Sequence, residues 1–137
     1  MDVRLKTELS KKNQYWVEKH RFLELKHFCL QYPIWEKAYK ALSGLSKRPL
    51  DLMIFSSEVS DPTARCAETM LKYSKWLGMV ENAAEKTDPV IGDYILQGVT
   101  EGVSYEVMRT RKDIPCCREK YYMLYRKFFW LSNKERN

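Results

Sequence analysis

Cys66, Met70, Tyr73, Leu77, Val80 and Ala84 recur at spacings of four, three, four, three and four. Only an α-helix places residues so spaced on one face, so this stripe demands a long amphipathic helix in the middle of the chain. Asp61 followed by Pro62 supplies its start: a proline in the first turn forfeits no hydrogen bond, and an aspartate before it accepts an orphan amide. Gly78 interrupts the stripe at a cost of about 1 kcal/mol, so close packing is expected there. The helix either packs on the N-terminal part or forms a dimer seam.

The flanking regions carry the same period. Tyr15 and Trp16, Phe22 and Leu23, and Cys29 and Leu30 recur every seven residues and predict a helix over Lys11 to Leu30. Pro33 fits the first turn of a second helix, in which Ile34, Trp35, Ala38, Tyr39 and Leu42 keep helical spacing up to Gly44 as its stop. So short a link gives a hairpin or a bent pair. Ser43 to Ser60 stays ambiguous, because the apolar run LDLMIF after Pro49 is too short to assign by period. Asp88 and Pro89 repeat the start signal for a helix to about Thr100, with Ile91, Tyr94, Ile95 and Val99 facing inward. The expected fold class is all-α: an N-terminal helical hairpin (1–60), a long connecting helix (61–86) and a C-terminal three-helix unit (87–137). With 137 residues, 45% of them hydrophobic, a core can form.

In that last unit, Gly102 ends one helix and Ser104 N-caps a short one through about Arg111, its side-chain oxygen accepting an orphan amide. Lys112 to Pro115 break the pattern. Pro115 biases Ile114 away from the helical region, and Asp113 tolerates the left-handed conformation of such turns. A second helix is expected from near Cys116. Cys117, Tyr121, Leu124, Phe128 and Leu131 would form its packed face, while Arg118, Glu119, Tyr122, Met123 and Arg126 project outward with Lys120 and Lys127 on the flank. A short helix, a turn and a longer helix with a basic outer face is the helix-turn-helix plan. Two amphipathic helices with a solvated charged face share the pattern, and the spacing alone does not separate them.

GVSYEVMRTRKDIPCCREK, residues 102–120, resembles without a gap the pattern GLSYEEIAEILGIPxxTVK of region 4 of sigma factors, through Gly102, Ser104, Tyr105, Glu106, Ile114, Pro115 and Lys120. The longer run from Asp88 to Leu131, about a third of the chain, is similar to phage and prophage late-gene regulators of the ArpU and RinA kind. The resemblance implies a helix-turn-helix that reads duplex DNA and works beside RNA polymerase. The chain departs from the sigma pattern at Arg109, Lys112 and Asp113, where sigma domains carry a small residue, a leucine and a glycine. It departs again at Glu119, where they carry an apolar residue, which leaves room for a rotated or shifted second helix. On this plan Arg118, Glu119, Tyr122 and Arg126 are the candidates for base contacts, and Arg109, Arg111, Lys112, Lys120 and Lys127 for phosphate contacts.

The charge layout fits such a reader. Residues 1–48 hold eleven Lys and Arg against five acids, 49–103 four against nine, and 104–137 nine against four, within a net charge of +6. A basic C-terminal block is what contact with phosphates requires. No apolar run approaches the roughly twenty residues of a membrane helix, and the opening MDVRLKTELSKK lacks the apolar stretch of a signal peptide, so a cytoplasmic location is expected.

Four cysteines without CxxC spacing read as free thiols rather than zinc ligands. Glu24 and His27 form an E-x-x-H pair of the kind di-iron bundles use, but the only other histidine, His20, lies on the same helix, and a solvated face is the simpler reading. No phosphate-binding glycine loop, nucleophile elbow or triad occurs; neither an enzyme nor a cofactor is expected. Two readings stay open. One is a DNA-binding transcription regulator whose N-terminal helices dimerise or touch RNA polymerase. The other is a small helical module, such as a phage inhibitor of a host protein, that meets an acidic protein surface.

Overall fold

The computed structural model describes residues 13–46 and 60–136, and among these every regular element is an α-helix. They run α1 (Lys19–Leu30), α2 (Tyr32–Ser46), α3 (Ser60–Thr87), α4 (Gly92–Glu101), α5 (Tyr105–Lys112) and α6 (Arg118–Arg136). Lys11 and most of the ambiguous segment, 47–59, lie outside the described residues.

The first helix starts later than its seven-residue period predicts. The Asn13 side chain accepts the Tyr15 amide at 2.8 Å and the Asn13 carbonyl accepts that of Trp16 at 3.1 Å, which closes a turn where the period predicts helix. Such side-chain to backbone bonds offer the chain an alternative to helix. Glu18 then caps α1, its carboxylate accepting from His20 and Arg21; these bonds, that of His20 foremost, hold its carboxyl below the ordinary range.

α1 and α2 are separated by Gln31 alone and form a bent pair, with the rings of Phe28 and Trp35 4.6 Å apart. The expected N-terminal hairpin is therefore replaced by another: α2 runs antiparallel to α3. Tyr32 donates to Glu81, Trp35 meets Trp76 at 5.3 Å, and Cys66 lies against the Leu42 carbonyl. One linking residue cannot reverse the chain, whereas the longer connection between α2 and α3 can. Gly44 does not stop α2, which continues to Ser46, because a glycine inside a helix costs stability without forbidding it. Among the described residues nothing lies within 4 Å of where a Cβ at Gly78 would be, so the close packing expected there is absent among them.

One core runs through all the described helices. It joins Phe22, Leu25 and Cys29 of α1, Trp35 of α2, Val80, Ala83 and Ala84 of α3, and Ile95 and Val99 of α4 to Met108 of α5 and the apolar side of α6. Burial pushes the Cys29 thiol up to about 12, so it stays protonated. The aromatic end of α6 packs on the N-terminal part, Phe129 against Phe22 at 4.8 Å and Trp130 against Tyr15 at 5.4 Å.

The buried face of α6 comprises Tyr121, Leu124, Tyr125, Phe128, Phe129 and Ser132. Cys117 is exposed and Leu131 only half-buried, so the packed face is turned by roughly 50° from the one the spacing predicts, at 3.6 residues per turn. The cause is α1, whose Phe22 lies against Tyr125 and Phe129 and draws that side of the helix into the core. Leu124 is buried under either orientation. Leu124→Ala is expected to lower the unfolding free energy by about 2–5 kcal/mol in urea denaturation, and an unchanged midpoint would place this residue outside the core.

Candidate nucleic-acid interface

Gly102 adopts the left-handed conformation, φ 69°, and ends α4, because a side chain at such a φ is strained. Two residues on, the Ser104 hydroxyl accepts the Val107 amide and starts α5. α5 closes on Arg109, Arg111 and Lys112 in its last turn, where cations meet the negative end of the helix dipole. Asp113, φ 53°, then reverses the chain, and Ile114 drops its side chain into the core.

Two contacts hold the turn between α5 and α6. The Tyr105 hydroxyl donates to the Cys116 carbonyl at 2.6 Å, and the Cys117 carbonyl accepts the Tyr121 amide at 3.0 Å as the first bond of α6. The helix begins at Arg118, two residues beyond Cys116. Behind the turn, the Tyr121 hydroxyl reaches so close to Gly98 that a Cβ there would collide with it, which lets α4 and α6 approach. Cys116 is half-buried, and burial raises its thiol above the ordinary range; Cys117 faces solvent.

The nine candidate residues divide into an open and a covered group. Arg109, Arg111 and Lys112 at the end of α5 are exposed, as are Arg118, Glu119 and Lys120 in the first turn of α6. Met123, 39% exposed, continues that surface. Tyr122 and Arg126 do not, contrary to their expected place on an open face. Tyr122 is half-buried between Tyr121 and Tyr125, at a crevice of about 180 Å³ that Lys26 and Leu30 of α1 help to line. Arg126 is half-buried beside Tyr15, Val17, Phe22 and Phe129. The stretch before α1 thus lies over the outer side of α6 from its third turn onward, and Lys134 stacks on Trp130, 3.5 Å from its centroid, at the far end.

Lys120 and the half-buried Lys127 share a neighbour that the sequence does not point to. The Asp88 carboxylate accepts the amides of Ile91 and Val90, each at 2.8 Å; these bonds hold its carboxyl below the ordinary range, and the two lysines add to the effect. Glu106 stands in the first turn of α5, and nothing in the sequence singles out its partner. It pairs with Arg118, whose guanidinium also stands 5.4 Å from the centroid of the Tyr122 ring. Twelve residues separate the pair, and no periodic signal links positions so far apart across a turn.

No helix among the described residues is long and apolar enough to cross a membrane. Among the same residues no cluster of three His, Cys, Asp or Glu side chains is placed to hold a metal ion, and Glu24 pairs with Arg21 at 2.5 Å. The chain matches no family model, no curated protein and no solved structure.

Proposed function

We infer that the chain is a sequence-specific DNA-binding transcription regulator in which α5, the turn at Asp113 and the start of α6 act as a helix-turn-helix. One observation carries this reading: the N-terminal turn of α6 is open, and the three cations that close α5, separated from it in the chain by the turn 113–117, are exposed as well. A recognition helix meets base edges with its N-terminal residues while neighbouring cations hold phosphates, so the covering of its later turns does not obstruct docking. The resemblance of residues 102–120 to sigma region 4 supports the same reading. A late-gene regulator of phage or prophage origin, working beside RNA polymerase, is its fullest form.

The covering of Tyr122 and Arg126 narrows base readout to Arg118 and Glu119. Arg118 is first choice, because its planar fork matches guanine O6 and N7 with two hydrogen bonds. Glu119 is placed to accept from a cytosine amino group, and at the same time favours the positive end of the helix. Arg118→Ala is expected to relax preference at one base pair by about 1–3 kcal/mol while leaving non-specific binding and the fold in place. Selection from a randomised duplex library before and after the change is the test. Identical sequence logos for the two proteins mean that Arg118 reads no base. If neither protein selects any sequence, the DNA reading falls and an acidic protein surface becomes the partner to seek.

A further inference from the structure

Arg118 is not idle in the free protein. Its Nη1 donates to Glu106 Oε2, with the two side chains 54% and 55% exposed, so the pair stands in water at the mouth of the turn. A carboxylate offers two acceptor oxygens to one guanidinium, and the guanine edge offers two acceptors of its own to the same fork. Glu106 therefore holds the group that guanine would have to claim. We propose that Glu106 is a specificity-determining residue, a carboxylate that occupies Arg118 until a guanine edge replaces it and that thereby sets how much the guanine contact adds to binding. The proposal rests on the DNA reading above.

The strengths are suitably ordered. An exposed ion pair shifts an equilibrium by no more than about five-fold, whereas a bidentate arginine–guanine contact discriminates by roughly five- to 150-fold. Guanine can thus displace the carboxylate, but a lone phosphate oxygen, a weaker claim on the fork, gains little by doing so. A released Glu106 also faces the phosphates and repels them, which adds to the cost of claiming Arg118. The Tyr122 ring behind Arg118 keeps the guanidinium near the start of α6 while it changes partner.

Glu106→Gln keeps the side-chain length and removes the charge, and because the residue is exposed it leaves the core untouched. Affinity is measured for a random-sequence duplex and for the best duplex from library selection, using four proteins: the parent, Glu106→Gln, Arg118→Ala and the double variant. The expected result of Glu106→Gln is a gain of about two- to five-fold on the selected duplex in the parent background, where the ion pair no longer has to be broken, with a smaller gain on random duplex. The ratio between the two duplexes therefore grows, and on random duplex the freed Arg118 makes the salt dependence steeper by about one phosphate contact. In the Arg118→Ala background the gain should be smaller and equal on the two duplexes, since only the repulsion between Glu106 and the phosphates is left to remove. Equal gains in both backgrounds would reduce the effect to bulk charge and overturn the proposal, as would an unchanged ratio. If the parent itself selects no sequence, the DNA reading fails and the proposal fails with it, and that outcome is visible before any variant is made.

Discussion

Replacing Phe129 with alanine is expected to lower the unfolding free energy by about 3–5 kcal/mol, the usual cost of removing a buried aromatic ring. Phe129 is 1% exposed and sits where α1 meets α6. Its ring lies 4.8 Å from that of Phe22, 5.0 Å from that of Tyr125 and 5.1 Å from that of Phe128, all in edge-to-face or near edge-to-face contact. Truncation forfeits the transfer of the ring from water, leaves a void that packed helices only partly fill, and breaks these three aromatic contacts. Against a whole-domain stability of about 5–15 kcal/mol the loss is severe. Urea unfolding followed by tryptophan fluorescence measures it, with an unchanged slope showing that the same surface is exposed in both proteins. A loss below about 1 kcal/mol would mean that α1 does not rest on this ring. Position adds a second consequence: Phe22 and Phe129 border the cleft that holds Arg126, so the variant should also loosen the cover over the outer side of α6.

What the sequence discloses about this fold depends on whether the cause is local. Gly102, Ser104 and Asp113 behave as their chemistry dictates, because a left-handed residue or a capping oxygen acts within four positions of itself. The long stripe of α3 is legible for a similar reason, since a period sustained over six apolar positions outweighs a single glycine. The start of α1 is misread because the apolar period continues back to Tyr15 while Asn13 bonds the same backbone into a turn, and a pattern of apolar residues does not weigh that competition. The outer face of α6 fails for the opposite reason. Tyr122 and Arg126 are covered by α1 and by the stretch before it, more than ninety positions earlier, and helical spacing carries no information about a neighbour that distant. Basic residues on that face look alike in sequence; only packing separates Arg118, which is open, from Arg126, which is not.

The same division sets the size of the salt effect on DNA binding. Arg109, Arg111, Lys112, Lys120 and Lys127 are the proposed phosphate contacts, and each contact displaces a condensed counterion. Five contacts give a log–log slope of about −4.5, so affinity for duplex DNA should fall by roughly 500-fold between about 50 and about 200 mM salt. Four of the five are exposed; Lys127 is half-buried and near Asp88. If Lys127 spends its charge on that carboxylate, the slope becomes about −3.6 and the fall roughly 150-fold. Lys127→Ala separates the cases: a flatter slope with equally reduced affinity for all sequences makes Lys127 a phosphate contact, and an unchanged slope assigns it to Asp88. Filter binding or fluorescence anisotropy across a salt series reads both quantities. A parent protein whose binding is flat over that range has no phosphate interface, and the open cations of α5 and α6 would then have to be explained by a partner other than DNA.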